Sequence, residues 1–145
     1  MTDRATRARR PTVVKLGGEL IDDATQLRRL ARTLADLGER EPLVVVHGGG
    51  REVDADMAQL GIPKHAVDGL RVTDDATLDV VVGVLAGRVN TRLVAALGAA
   101  GTSAVGLTGA DAFLAPVRRE RSYRAADGRA VDLGHVGRPY DTGRP

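Results

Sequence analysis

Apolar residues in the first third of the chain gather in two short runs, Val13-Val14-Lys15-Leu16 and Leu43-Val44-Val45-Val46. Glycines stop both: Gly17-Gly18 follows the first, and His47 then Gly48-Gly49-Gly50 follows the second. Short, β-branched runs bounded by glycine predict strands over Thr12–Leu16 and Leu43–Val46. Their continuous apolar character predicts burial on both faces of a parallel sheet. Between them Leu27, Leu30, Ala31, Leu34 and Leu37 recur at helical spacing. Asp22 or Asp23 caps that helix and Gly38 ends it. Strand, helix and strand make a right-handed crossover. If the two strands are neighbours, both glycine turns open on one edge of the sheet.

A second helix is predicted after Gly50, with Val53, Met57 and Leu60 on its apolar face. Glu52 and Asp54 lie in its first turn, and Gly61 and Pro63 end it. His65 to Val72 reads as irregular, with Asp68-Gly69 as a turn. Thr73 caps a third helix with Asp74 and Asp75 in its first turn. Leu78, Val81, Val82, Leu85, Val89, Leu93 and Leu97 give it a long apolar face, and Gly98 or Gly101 ends it. Ser103–Leu107 predicts a third strand, and Asp111 caps the turn after Gly109. Residues 113–136 change character: an arginine-rich middle and an Asp127-Gly128 turn give a β-hairpin signature. The fold class is α/β.

With 145 residues and 43% hydrophobic content, the chain is long enough for one domain with a real core. Phe113, Tyr123 and Tyr140 are its only aromatics, so the core must be Val, Leu and Ala. So few rings also argue against base stacking and hence single-stranded nucleic-acid binding, and no nucleic-acid partner is expected. There is no cysteine, so no disulfide and no thiolate metal site. No apolar run is long enough to span a membrane, and no secretory signal is visible. A cytoplasmic location follows by default. Formal net charge is +2. Arginines 4, 7, 9 and 10 read as part of a solvated, disordered tail; 118, 119, 121 and 124 read as a solvated hairpin face.

Glycine-rich turns that follow strands let a backbone approach an anion closely, and helix starts offer unpaired N–H groups. Lys15, one of only two lysines, stands at the exit of the first strand directly before Gly17 and Gly18. Neither the nucleotide P-loop pattern nor G-x-G-x-x-G occurs. His47-Gly48-Gly49-Gly50 resembles the oxyanion loop of lipases and esterases, which requires a G-x-S-x-G elbow. The nearest stretch, Gly101-Thr102-Ser103-Ala104-Val105, has valine where the second glycine belongs, so a hydrolase is not supported.

Six motifs occur in order: Val14-Lys15-Leu16-Gly17-Gly18; Val44-Val45-Val46-His47-Gly48-Gly49-Gly50; Asp68-Gly69-Leu70-Arg71-Val72-Thr73; Leu85-Ala86-Gly87-Arg88-Val89-Asn90; Val105-Gly106-Leu107-Thr108-Gly109; and Asp132-Leu133-Gly134-His135-Val136-Gly137. This series resembles the N-terminal lobe of N-acetylglutamate kinase, in the amino acid kinase family, from about Thr12 to Gly137. Kinases acting on carrier-linked aminoadipate or glutamate share much of it. The resemblance implies a three-layer α/β/α sandwich with a mainly parallel sheet, plus the hairpin. It divides the chain into an arginine-rich tail (1–11), a substrate-binding lobe (12–137) and a C-terminal tail (138–145), with no counterpart of the family's ATP-binding lobe.

The resemblance further implies ATP-dependent phosphorylation of the side-chain carboxylate of N-acetyl-L-glutamate, with ATP and Mg2+ as cofactors, in arginine biosynthesis. Lys15 would be catalytic, neutralising charge on the transferring phosphoryl group. Backbone N–H groups of Gly17, Gly18 and Gly49 would hold phosphate oxygens. Gly49 and Gly50 would border the acylated amino acid, Arg71 would pair with its α-carboxylate, and Asn90 would lie in the substrate region. No residue is expected to hold a metal. A separate C-terminal lobe, or a second copy meeting the long third helix, is the implied partner. A non-catalytic amino-acid-binding or regulatory domain on the same fold, or a kinase for carrier-linked aminoadipate or glutamate, is the alternative.

Overall fold

The computed structural model describes residues 10–140, which fall into two compact units: 10–49 with 92–105, and 50–91 with 106–140. The expected tail residues 1–9 and 141–145 lie outside the described residues.

In the first unit, β1 (Thr12–Leu16) and β2 (Leu43–His47) pair in parallel, with Lys15 opposite Val46 and Leu16 opposite His47. The crossover between them holds a short helix, α1 (Gly18–Asp22), and then α2 (Ala24–Gly38). The Asp23 carboxylate settles the cap, accepting the N–H groups of Thr25 at 2.9 Å and Gln26 at 2.7 Å. Replacing Asp23 by alanine leaves those donors to water and should cost about 1 kcal/mol, read as a lower Tm. The helical spacing holds: Leu27, Ala31, Leu34 and Ala35 are buried, as are Leu16 and Ile21.

The strands are not buried on both faces. Val13, Val44 and Val46 are 64%, 45% and 49% exposed, sharing the open face with Lys15. A continuous apolar run shows that either face could be covered. Here only the face with Thr12, Val14 and Leu16 turns inward. Ser103–Leu107 forms no strand either, and Val105 is 82% exposed. An extended apolar segment becomes a strand only where a neighbour supplies a ladder of hydrogen bonds. Neither β1 nor β2 takes it as a partner.

The second unit opens with α3 (Gly50–Gln59), which buries Val53 and Met57 but leaves Leu60, beyond its last turn, 66% exposed. The segment read as irregular holds a small hairpin, β3 (Ala66–Val67) against β4 (Leu70–Arg71). Its two central residues, Asp68 and Gly69, both have positive φ, 50° and 79°. That backbone twist matches an antiparallel pair. Two nested ladders form the arginine-rich hairpin: β5 (Val117–Arg119) with β8 (Gly137–Pro139), and β6 (Tyr123–Arg124) with β7 (Ala130–Val131). Gly128, at φ 86°, sits in the predicted turn. β8 shows that the start of the expected C-terminal tail is paired backbone.

Asp74, rather than Thr73, caps the long helix, accepting the Thr77 N–H at 2.8 Å. Thr73 instead forms a parallel bridge with Gly134. The helix comprises α4 (Asp75–Val82), a π-helical stretch (Gly83–Val89) and α5 (Asn90–Ala99). Val80, Val84, Val89, Leu93 and Leu97 are buried, while Val82 is 54% exposed. The wider π turn shifts the apolar face away from the one a uniform period predicts. By length and composition alone, Asp75–Ala99 can cross a membrane, at a mean hydropathy of 1.6, contrary to the sequence-based expectation. Asp79, Arg88 and Arg92 interrupt it, and its apolar residues line a core face.

Candidate functional site

Because β1 and β2 are adjacent and parallel, their C-terminal turns leave the sheet side by side. The Gly48 N–H donates to the Leu16 carbonyl at 3.3 Å, continuing the ladder past the strand ends. A β-carbon on Gly18 would come within 3.2 Å of the Gly49 α-carbon and 3.3 Å of its nitrogen. The turns therefore touch, and a side chain at Gly18 would have to press the Gly49 backbone back by a few tenths of an ångström. A β-carbon on Gly17 would meet nothing within 4 Å, so this backbone faces open space. Lys15 is exposed, one residue before the end of β1. The structure thus brings together Lys15, Gly17, Gly18 and Gly49: one cation and two bare turns at a sheet edge. His47 ends β2, its Nδ1 lying 3.4 Å from the Gly48 carbonyl oxygen.

Gly50, Arg71 and Asn90 belong to the second unit. Gly50 starts α3, and a β-carbon there would meet nothing within 4 Å. Arg71, at the end of β4, is four-fifths buried and held by α3. Its Nη2 donates to Asp54 Oδ1, and its Nη1 to the Met57 sulfur at 3.1 Å. Lys64 Nζ reaches the other Asp54 oxygen at 2.6 Å. These bonds, Lys64's first, outweigh partial desolvation and hold Asp54 below the ordinary carboxylate range. Asn90 opens α5 and is not a free surface residue. A β-carbon on Gly106 would overlap its carboxamide, so the side chain lies against the Gly106 backbone. Asp111 closes the turn after Gly109 as expected, accepting the Thr108 N–H at 2.6 Å and hydroxyl at 2.8 Å.

Sequence reasoning missed Asp54, Met57 and Lys64. Asp54 and Met57, three apart on a helix, share a face. Nothing local indicates that Arg71, beyond two turns of chain, folds back onto it.

The residue types present suit the phosphate end of a nucleotide: two backbone turns in contact, at the end of the strand that carries Lys15. Among the described residues no three His, Asp or Glu form a metal-holding group, so no residue here is assigned to Mg2+.

Comparison with known proteins agrees with this architecture. The acetylglutamate kinase of Roseiflexus sp. (strain RS-1) is 46% identical over 141 residues, covering 96% of this chain and 51% of that relative. That of Methanopyrus kandleri is 46% identical over 125 residues, covering 86% and 46%. The chain thus spans about half the length of the curated relatives it matches. Among solved structures, smu.665 from Streptococcus mutans UA159 superposes with a TM-score of 0.68 at 26% identity, covering 88% of this chain and 49% of that one. The N-acetylglutamate synthase of Neisseria gonorrhoeae, complexed with coenzyme A and N-acetyl-glutamate, gives 0.66 at 28% identity, covering 86% and 27%. Residues 10–139 match the amino acid kinase family. With that match spanning nearly the whole sequence, the chain belongs to the amino acid kinase family.

Proposed function

We propose that this chain is the substrate- and phosphate-binding portion of an N-acetylglutamate-kinase-type phosphotransferase. The reaction converts the side-chain carboxylate of N-acetyl-L-glutamate to an acyl phosphate at the expense of ATP, in arginine biosynthesis in the cytoplasm. The observation that carries this reading is the contact of the two glycine turns beside Lys15. The names of the relatives support it, as does a structural neighbour complexed with N-acetyl-glutamate.

Such a transfer needs positioning and charge neutralisation rather than a protein nucleophile, because the attacking group is already an ionised carboxylate. ATP supplies the phosphoryl group. N–H groups of Gly17, Gly18 and Gly49 hold phosphate oxygens with no side chain in the way. Lys15 opposes the charge spread over the transferring group. Gly49 and Gly50 border the acylated amino acid. The Arg71 fork pairs with its α-carboxylate, where two parallel N–H bonds suit two oxygens. Asn90 supports the substrate region.

The test is calorimetric titration with N-acetyl-L-glutamate, followed by ADP release with and without the nucleotide-binding half of a relative. Saturable binding is expected, with turnover once that half is supplied. Lys15→Met should lower turnover about a thousandfold while leaving substrate affinity within a few-fold. No binding of N-acetyl-L-glutamate overturns the reading. Binding with no turnover under either condition favours the alternative, an amino-acid-binding domain without catalysis.

A further inference from the structure

Resting on the proposed role of Arg71 as the carboxylate-binding residue, we infer that Asp54 is its positioning residue. In this reading the Lys64–Asp54–Arg71 cluster is a preformed seat for one monoanionic carboxylate.

Two anchors three residues apart on α3 grip the guanidinium: the Asp54 carboxylate at Nη2 and the Met57 sulfur at Nη1. Two fixed points set the plane of a rigid fork. An arginine otherwise free to sample many rotamers is thereby aimed before any ligand arrives, and the ordering cost of binding falls. β4 holds the backbone end through its pairing with β3, and the Thr73 hydroxyl donates to the Arg71 carbonyl at 3.2 Å. The residue is thus fixed at both ends.

Charge points the same way. Asp54 binds two cations, Arg71 through Oδ1 and Lys64 through Oδ2. Two positive groups around one negative group leave a net charge of one unit, which a single carboxylate completes. Asp54 uses only part of the fork, and the guanidinium has five N–H donors. A guest carboxylate therefore joins the cluster as a fourth member and does not have to displace Asp54. Lys64, with its side chain 55% exposed, acts mainly by holding Asp54 ionised and in place.

The experiment titrates the chain with N-acetyl-L-glutamate and with its α-amide, which lacks the α-carboxylate. The proteins are wild type, Asp54→Asn, Asp54→Glu, Arg71→Ala and the double variant Asp54→Asn/Arg71→Ala, with far-UV circular dichroism and Tm recorded for each. Asp54→Asn should weaken N-acetyl-L-glutamate binding about tenfold and leave the α-amide unaffected. Asp54→Glu should restore part of the loss, and Asp54→Asn should add nothing in the Arg71→Ala background. Unchanged or tighter binding by Asp54→Asn overturns the inference, since Asp54 would then be a bystander or a competitor. Equal losses for both ligands, or a loss that persists without Arg71, also overturn it, because the effect would then be general to the fold. Those results leave the proposed function standing if wild type binds and Arg71→Ala does not. A wild type that binds neither ligand overturns the reading of the site, and this inference with it.

Discussion

Gly134→Ala lowers stability by about 3 kcal/mol, a fall of roughly 10 °C in Tm for a chain of this size. Gly134 has φ 74°, a left-handed conformation that by itself costs an alanine about 1 kcal/mol. The larger share comes from space. An added β-carbon would overlap the Thr73 carbonyl oxygen, which is backbone and cannot rotate aside. That oxygen accepts the His135 N–H at 2.7 Å, and the Thr73 N–H donates to Leu133 at 2.9 Å. The same residue is tied elsewhere: Asp132 accepts the Gly134 N–H at 2.8 Å, and Arg119 donates to its carbonyl at 2.9 Å. Relief of the overlap must break part of this clasp. Gly128→Ala is the control. Its φ is 86°, but a β-carbon there would meet nothing within 4 Å, so only the backbone cost of about 1 kcal/mol applies. Equal losses in thermal melts of the two variants would sink the steric account. The clasp adjoins the Asp74 cap and, through the Thr73 hydroxyl, the Arg71 carbonyl. Gly134→Ala should therefore also loosen the carboxylate seat.

Arg71→Ala weakens N-acetyl-L-glutamate binding by about 30- to 100-fold, the worth of a charge-assisted, two-pronged bond. The α-amide, which offers no carboxylate to the fork, loses little. Arg71→Lys should recover only a minor part, since an ammonium is a point charge and cannot present two parallel donors. Folding should survive the substitution, because Lys64 still balances Asp54. Calorimetry on both ligands checks the result. A loss no greater for the acid than for the amide would remove Arg71 from the binding site.

The two strands and their glycine turns were legible because each signal is local. A β-branched run and the residue that stops it are adjacent in sequence, and pairing β1 with β2 then forces Gly18 and Gly49 together. Asp23, the Asp68-Gly69 turn and the Asp127-Gly128 turn were readable for the same reason. What escaped was set by tertiary context. Whether Val13 and Val44 face a partner depends on what packs above the sheet, not on the strands. Ser103–Leu107 has a strand's composition, but among the described residues no strand pairs with it. Leu70–Arg71 is a strand of two residues, too short to produce an alternating pattern. The candidate site divides along this line: Lys15 and the glycines stand out in the sequence. Asp54 became visible only when the chain brought Arg71 back to α3.

The π-helical stretch carries a consequence for how the long helix tolerates change. Its buried apolar positions run 80, 84, 89, 93 and 97, so the step widens by one residue inside Gly83–Val89. A uniform α-helix would rotate everything beyond residue 84 by roughly 100° relative to α4 for that extra residue. The loose turn takes up the surplus residue where it occurs, so the far half keeps its phase. Length variation of one residue is thereby confined to this turn, whereas the same insertion in α4 or α5 would swing Asn90 or Leu97 out of place.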